Sequence, residues 1–247
     1  SIEAWVKTDG LGARQTILDK GYSSSGEPYY QYHVEVRSGG EVYFALSLGG
    51  TRKTTETSAT LTAGQWHHIA CVYNGSTIKI YIDGVEESST NATGSISTYS
   101  TSLYIGAYSG PGPIGSFDGL IDDLHVWNVA LSQNEIQNYM NCPPIGIEEG
   151  LVGYWNFEEG EGNIVYDLSG NENHGTINGA TYNTNVPSQS CALTNANGCD
   201  SIAVLNLTIN QGDTSYTNIT ACNEFTWDGQ TYTESGEYTN TYTNANG

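Results

Sequence analysis

Basic residues are scarce. The 247-residue chain holds 7 Lys and Arg against 27 Asp and Glu, a formal net charge of −20. Nucleic-acid binders meet phosphates with Lys and Arg, and anionic lipid surfaces repel an acidic chain, so both partners are excluded. No run approaches the roughly 20 apolar residues of a membrane-spanning helix, so no membrane insertion is expected. Methionine occurs once. The five cysteines, Cys71, Cys142, Cys191, Cys199 and Cys222, form no C-x-x-C pair, which leaves zinc-ribbon and thioredoxin-like readings without support. No leader is visible ahead of the strand-like "SIEAWVK", and an export signal is expected upstream. The acidic balance keeps the protein soluble, fits a secreted or saline setting and attracts cations such as Ca²⁺.

Glycine (30) and tyrosine (18) are abundant, and helical patterns are few. Short runs of Val, Ile, Tyr and Thr alternate with Gly, Asn, Asp and Ser, which reads as all-β. In "WHHIACVYNGSTIKIYIDGVEES" (66–88), Asn74-Gly75 and Asp83-Gly84 close hairpins. The strand between them places Ile78, Ile80 and Ile82 on one face, with Lys79 and Tyr81 on the other. One helix is predicted in "ALSQNEIQNYM", where Ser132 and Glu135 form a capping box and Ile136, Tyr139 and Met140 share a face. Pro143-Pro144 stops it, and a short helix so late in the chain is expected to plug one end of a sandwich.

After Pro187 the composition turns to Thr, Asn and Ser. "LTNANG" (193–198) recurs as "YTNANG" (242–247), which reads as a repeat array. In that register Cys222 pairs beyond Gly247. Cys191 pairs with Cys199, or alternatively returns to Cys142. Cys71 reads as a buried thiol in a core strand.

The segment "DLSGNENHG" (167–175) alternates oxygen-bearing side chains at Asp167, Ser169, Asn171 and Asn173. Gly170 permits a sharp bend. A hard cation takes such oxygens; an Asx-turn without metal is the alternative. Enzyme markers are weak. There is no G-x-S-x-G elbow. Glu35 has no acid two residues on, and the adjacent Asp122 and Asp123 point to opposite faces of a strand, whereas glycoside hydrolysis needs two facing carboxyls. His67 and His68 likewise face apart, and His33 and His125 stand alone on strand-like runs. Ligand contact is expected instead at Tyr22, Tyr29, Tyr30 and Tyr108, in or beside the loops "KGYSSSGEPYYQYH" and "GAYSGPGPIG", because sugar C–H faces stack on aromatic rings. Asn74, Asn91, Asn206 and Asn218 begin N-x-S/T sequons.

"SIEAWVK" (1–7), "GQWHHIACVYNGSTIKIYIDGV" (64–85) and "FDGLIDDLHVWNVALSQNEI" (117–136) together resemble the laminin-G-like, concanavalin A-like jelly-roll modules of secreted bacterial proteins. The tail, "CNEFTWDGQTYTESGEYTNTYTNANG", resembles Thr-rich β repeats of marine Bacteroidetes surface proteins, whose short O-glycosylation signal "DSI" would mark Ser201. The segment "GLVGYWNFEEGEG" resembles the normal opening of such a module but here follows its body, and is expected to close the same sandwich. The resemblance implies that Asp122 joins Asp167, Asn171 and Asn173 around a structural Ca²⁺. The expected fold is all-β: an antiparallel jelly-roll β-sandwich with one short helix over 1–187, a linker and repeat end over 188–211, and a partial Ig-like β repeat over 212–247. The implied function is non-catalytic adhesion or ligand binding at the cell surface, with carbohydrate or a surface protein as partner, alongside neighbouring repeats of the same chain. A self-associating filament subunit and a polysaccharide hydrolase are the alternatives.

Overall fold

Strand alternation shapes the first of two compact units, Ser1–Ser190; the second is Cys191–Gly247. The computed structural model describes residues 1–21, 26–109, 115–191, 193–194, 200–201, 224–227, 229–233 and 238. In chain order the first unit contains β1 (Ile2–Thr8), β2 (Gln15–Gly21), β3 (Tyr30–Val36), β4 (Glu41–Leu48), β5 (Thr51–Thr60), β6 (His67–Tyr73), β7 (Thr77–Ile82), β8 (Val85–Asn91), β9 (Leu103–Ile105) and β10 (Gly119–Trp127). There follow α1 (Gln133–Asn141), β11 (Leu151–Trp155), β12 (Ile164–Val165) and β13 (Gly175–Thr176). A six-stranded sheet runs β11-β10-β1-β6-β7-β8, and a five-stranded sheet runs β5-β4-β3-β2-β9. Pairing within both is antiparallel. The "GLVGYW" segment supplies edge strand β11, so the late chain completes the earlier sheet.

The two sheets pack face to face as a jelly-roll sandwich. Val6, Ile69, Ile78 and Ile80 from one sheet meet Leu18, Val34, Phe44 and Leu46 from the other in a single core. Cys71 is a free thiol buried in this core. Each such side chain removed from water contributes about 1.5–3 kcal/mol.

The opposite face of β6 and β7 is not solvated. Ala70, Val72 and Tyr81 pack against Trp127, Leu131, Ile136 and Tyr154 beneath α1. The capping box at Ser132 and Glu135 is present. Asp83 and Gly84 turn the β7–β8 hairpin at φ 50° and 76°, and the Gln133 and Gln137 amides donate to the Gly84 carbonyl at 2.8 and 3.0 Å. These bonds and the apolar contacts lay α1 on the sheet face. The expected end plug is therefore corrected, because Tyr81 and Ala70 are apolar on the side that faces away from the sandwich core.

That covered face also buries charge. Glu3, His68 and His125 are at most 1 % exposed. Both ring nitrogens of each histidine lack a hydrogen-bond partner among the described residues. Glu3 accepts from the Trp127 indole at 3.0 Å. Burial pushes the Glu3 carboxyl up to about 7 and both histidines down to about 4.

In the second unit, β14 (Leu193–Thr194) pairs with β15 (Asp200–Ser201), and β16 (Phe225–Trp227) with β17 (Gln230–Tyr232). Ser201 therefore lies on a short strand. Cys142 and Cys191 are each disulfide-bonded. Cys199, Cys222, Tyr22 and most of the recurring "TNANG" segments lie outside the described residues.

A histidine whose folded pKa lies below its unfolded value stabilises fully above about 6.5, and that stability is lost as pH falls through the folded value near 4. The expected loss is roughly 3 kcal/mol per histidine. Glu3, raised above its unfolded value, gains stability over the same fall in pH and offsets part of this loss, so the histidine contribution is read as a difference: between pH 7 and pH 4 in urea, His68→Leu with His125→Leu should lose less stability than the wild type. An equal drop in the double variant would refute the assignment.

Candidate functional site on the five-stranded sheet

The outer face of the five-stranded sheet carries the unusual chemistry. On β4, Val42, Phe44 and Leu46 point into the core, so Tyr43, Ala45 and Ser47 point outward. Cross-strand register places Ala45 beside His33, His33 beside Asp19, and Asp19 beside Tyr104. The next row sets Tyr43 beside Glu35.

Asp19, His33 and Glu35 are fully buried. His33 Nδ1 lies 2.8 Å from Asp19 and Nε2 lies 3.2 Å from Glu35. Carboxylates only accept, so both ring nitrogens must donate, which requires the imidazolium. Burial alone would lower the His33 pKa; the bonds to Asp19 and Glu35 outweigh it and raise it. Glu35 also receives Arg14 through Nε and Nη2 at 2.6–3.1 Å, and Arg37 at 2.9 Å. Burial raises the Glu35 carboxyl, and these cations bring it below its ordinary value. Ser109 donates to Asp19 through both its hydroxyl and its backbone N–H.

Tyrosines surround this ionic row. The Tyr30 ring stacks on His33 at 4.4 Å between centroids, and Tyr108 meets both rings edge-on. Tyr29 and Tyr108 pack against Tyr30, Tyr43 and Ala45. Tyr29 is held at φ 64°, a strained conformation for a non-glycine residue that its surroundings must enforce. The structure thus brings together Tyr29, Tyr30 and Tyr108 from two distant loops. Tyr30, however, is 5 % exposed, so it floors the site rather than offering a contact face. Sequence reading missed Asp19, Tyr43, Tyr104 and the arginines. The alternation in "VYFAL" and "LYI" points Tyr43 and Tyr104 outward, but cross-strand neighbours leave no mark along one strand.

The calcium expectation meets a different geometry. Asp167 Oδ1 accepts from the backbone N–H groups of Tyr154 and Ser169, both at 2.9 Å. Its Oδ2 accepts from the Asn173 backbone at 2.9 Å and the Asn173 amide at 3.1 Å. The Asn171 amide donates to the Leu151 and Val152 carbonyls, and the Asn173 carbonyl accepts the Trp155 indole. Asp122 is not part of this set: its near charges are Asp123 and Glu158, and burial followed by Asp123 raises its carboxyl to about 7. Among the described residues no group of three or more His, Cys, Asp or Glu is placed to hold a metal. At Asp167 the lone pairs that Ca²⁺ would need are occupied by four N–H groups, an arrangement that fits the Asx-turn without metal. The loop is an Asx-type clamp that ties β11 to residues 167–173.

A cavity of about 1550 Å³ runs elsewhere, along the seam where β9 and β10 meet residues 173–186. Ile105, Phe117, Ile121, Trp155 and Phe157 line it, with Asp122 and Glu158 as acids.

Residues 1–137 match the family described as the concanavalin A-like lectin/glucanases superfamily. The chain belongs to this superfamily. Mouse pappalysin-1 is 30% identical over 102 residues, which span 40% of this chain and 6% of that protein. The fold is similar to that of a proposed carbohydrate-binding protein from Bacteroides ovatus, with TM-score 0.61 and 22% identity, covering 77% of this chain and 54% of that one. It is also similar to the heptameric SAP-like pentraxin of Limulus polyphemus, with TM-score 0.51 and 19% identity, covering 72% and 79%. The chain therefore spans only part of the length of the first two.

Each buried donor left without an acceptor costs about 1–3 kcal/mol. Asp167→Ala is expected to lower stability by at least about 2 kcal/mol, while a calcium chelator leaves the wild-type melting midpoint unchanged. A midpoint that falls with chelator and recovers with Ca²⁺ would restore the metal reading.

Proposed function

We propose that the first unit is a non-catalytic carbohydrate-binding module of an extracellular protein, serving adhesion or ligand capture. The observation that carries this reading is the outer face of the five-stranded sheet, where Tyr29, Tyr104 and Tyr108 gather around fixed polar groups. Sugars are held by ring stacking with a few directed hydrogen bonds, and the described role of the Bacteroides ovatus relative agrees. Tyr104, at 42 % exposure, is the most open of these rings.

A glycosidase reading draws less support. Glycoside hydrolysis sets two accessible carboxyls about 5–9.5 Å apart on either side of the scissile bond. Asp19 and Glu35 are buried instead, with His33 bonded between them. The disulfide-bonded Cys142 and Cys191 support an oxidising, extracellular compartment. No helix among the described residues is long and apolar enough to cross a membrane.

On a glycan array, Tyr104→Ala and Tyr108→Ala are expected to weaken the wild-type signal at least tenfold, with the circular dichroism spectrum unchanged. Retained binding in both variants would move the site away from this face. Release of reducing sugar by the wild type would overturn the non-catalytic reading.

A further inference from the structure

The chain holds three arginines in all, Arg14, Arg37 and Arg52, and each is placed at the same sheet face. Arg14 precedes β2, Arg37 follows β3, and Arg52 lies on β5 opposite Ser47, beside outward-facing Tyr43 and Ala45. Tyr43 lies within reach of all three charges. The Arg37 guanidinium lies 4.0 Å over the Tyr43 ring, and Arg52 lies 5.2 Å over Tyr29.

The charges are layered by depth. Glu35 is fully buried, whereas the Arg14 and Arg37 side chains above it are 32 % and 25 % exposed. Arg52 is 34 % exposed. Buried Asp19 and Glu35 are outnumbered by His33, Arg14 and Arg37, so the inner cluster is net positive. The other carboxylates on these cations are surface groups. Glu27 meets Arg52 at 2.9 Å and is 54 % exposed, and Glu56 lies 3.7 Å from Arg37 and is 45 % exposed. Such exposed pairs are weak and exchange readily with a ligand anion. A guanidinium has five N–H donors in a fork that matches carboxylate or sulfate.

Resting on the carbohydrate-binding reading above, we propose that this site selects an acidic sugar, whose carboxylate or sulfate group seats on the Arg37 and Arg52 forks while its ring packs on the neighbouring tyrosines. The anion displaces Glu56 and Glu27. The chain as a whole carries a net charge of −20 and repels polyanions at long range, so recognition is of one or two acidic units, not of charge along a polymer.

The test is calorimetric titration of the whole chain with short galacturonate oligomers and sulfated galactan oligomers, each beside its neutral counterpart, the methyl ester or the desulfated oligomer. At least one acidic member should bind, with its neutral counterpart at least tenfold weaker. Arg52→Gln and Arg37→Gln should each cost at least tenfold, and Glu27→Gln or Glu56→Gln should tighten binding severalfold by removing the competing carboxylate. Lys79→Gln, on the other sheet and paired with Glu86, should change nothing. Equal binding of neutral and acidic oligomers, or indifference to both arginine variants, overturns the acidic-sugar inference and leaves the carbohydrate reading standing. Failure of every acidic and neutral glycan, here and on the array, overturns both.

Discussion

His33 sits between two buried carboxylates, and neither Asp19 nor Glu35 can donate to it. That requirement fixes a positive charge inside the outer face of the five-stranded sheet, and the neighbours follow from it. Glu35 gathers Arg14 from the entry to β2 and Arg37 from the exit of β3, while Asp19 gathers Ser109 from beyond β9. One cluster thereby pins two strands and three connecting segments. Removing one member would leave another charge buried and uncompensated, at a cost of about 3–5 kcal/mol. The linkage has a definite window. His33, raised from 6.5, contributes fully below that value and loses it as pH rises through its folded pKa. Glu35, lowered from 4.5, contributes fully above that value and loses it as pH falls through its own folded pKa. The cluster is strongest between these limits.

The two sheets manage their outer faces in opposite ways. The six-stranded sheet covers its own with α1, and the polar groups trapped there, Glu3, His68 and His125, are poorly matched. Among the described residues no helix covers the five-stranded sheet. Its buried charges are paired, and the tyrosines around them are left at the rim. A face that is rigid yet open is what a binding surface needs, since preorganised groups lose little freedom when a ligand arrives. The covered face is, for the same reason, a structural one.

The fold was legible because its signals run along the chain. Ile78, Ile80 and Ile82 alternate, Asp83-Gly84 turns, and Ser132 caps, all within a few residues. The site was only half legible. Tyr29, Tyr30 and Tyr108 stand out as loop aromatics, but the acid that accompanies Glu35 is Asp19, one strand away, where no spacing rule reaches. In residues 167–173 the alternating oxygens were visible and their direction of bonding was not. Asn offers an amide that donates and a carbonyl that accepts, so one pattern serves a cation or a set of N–H groups. The backbone N–H groups of Tyr154, Ser169 and Asn173 converge on Asp167 and favour the second reading at that carboxylate. The helix position failed for a related reason: Tyr81 and Ala70 read as ordinary strand residues until Ile136 lands on them.

A strongly acidic chain that places every arginine on one face separates two electrostatic tasks. The distributed negative charge acts over about a Debye length, roughly 8 Å at physiological salt, and keeps polyanions and like surfaces apart. The guanidinium forks act only at hydrogen-bond distance, where geometry matters more than net charge. Burying Glu35 beneath Arg14 and Arg37 holds these forks in place without cancelling them at the surface, because the carboxylate is fully buried while the two guanidinium side chains stay partly exposed. A lysine-rich patch of equal charge would lack that order, since a flexible ammonium can follow any neighbouring acid. The depth of the carboxylates, more than the number of arginines, is what leaves a cationic surface on a protein otherwise covered in acid.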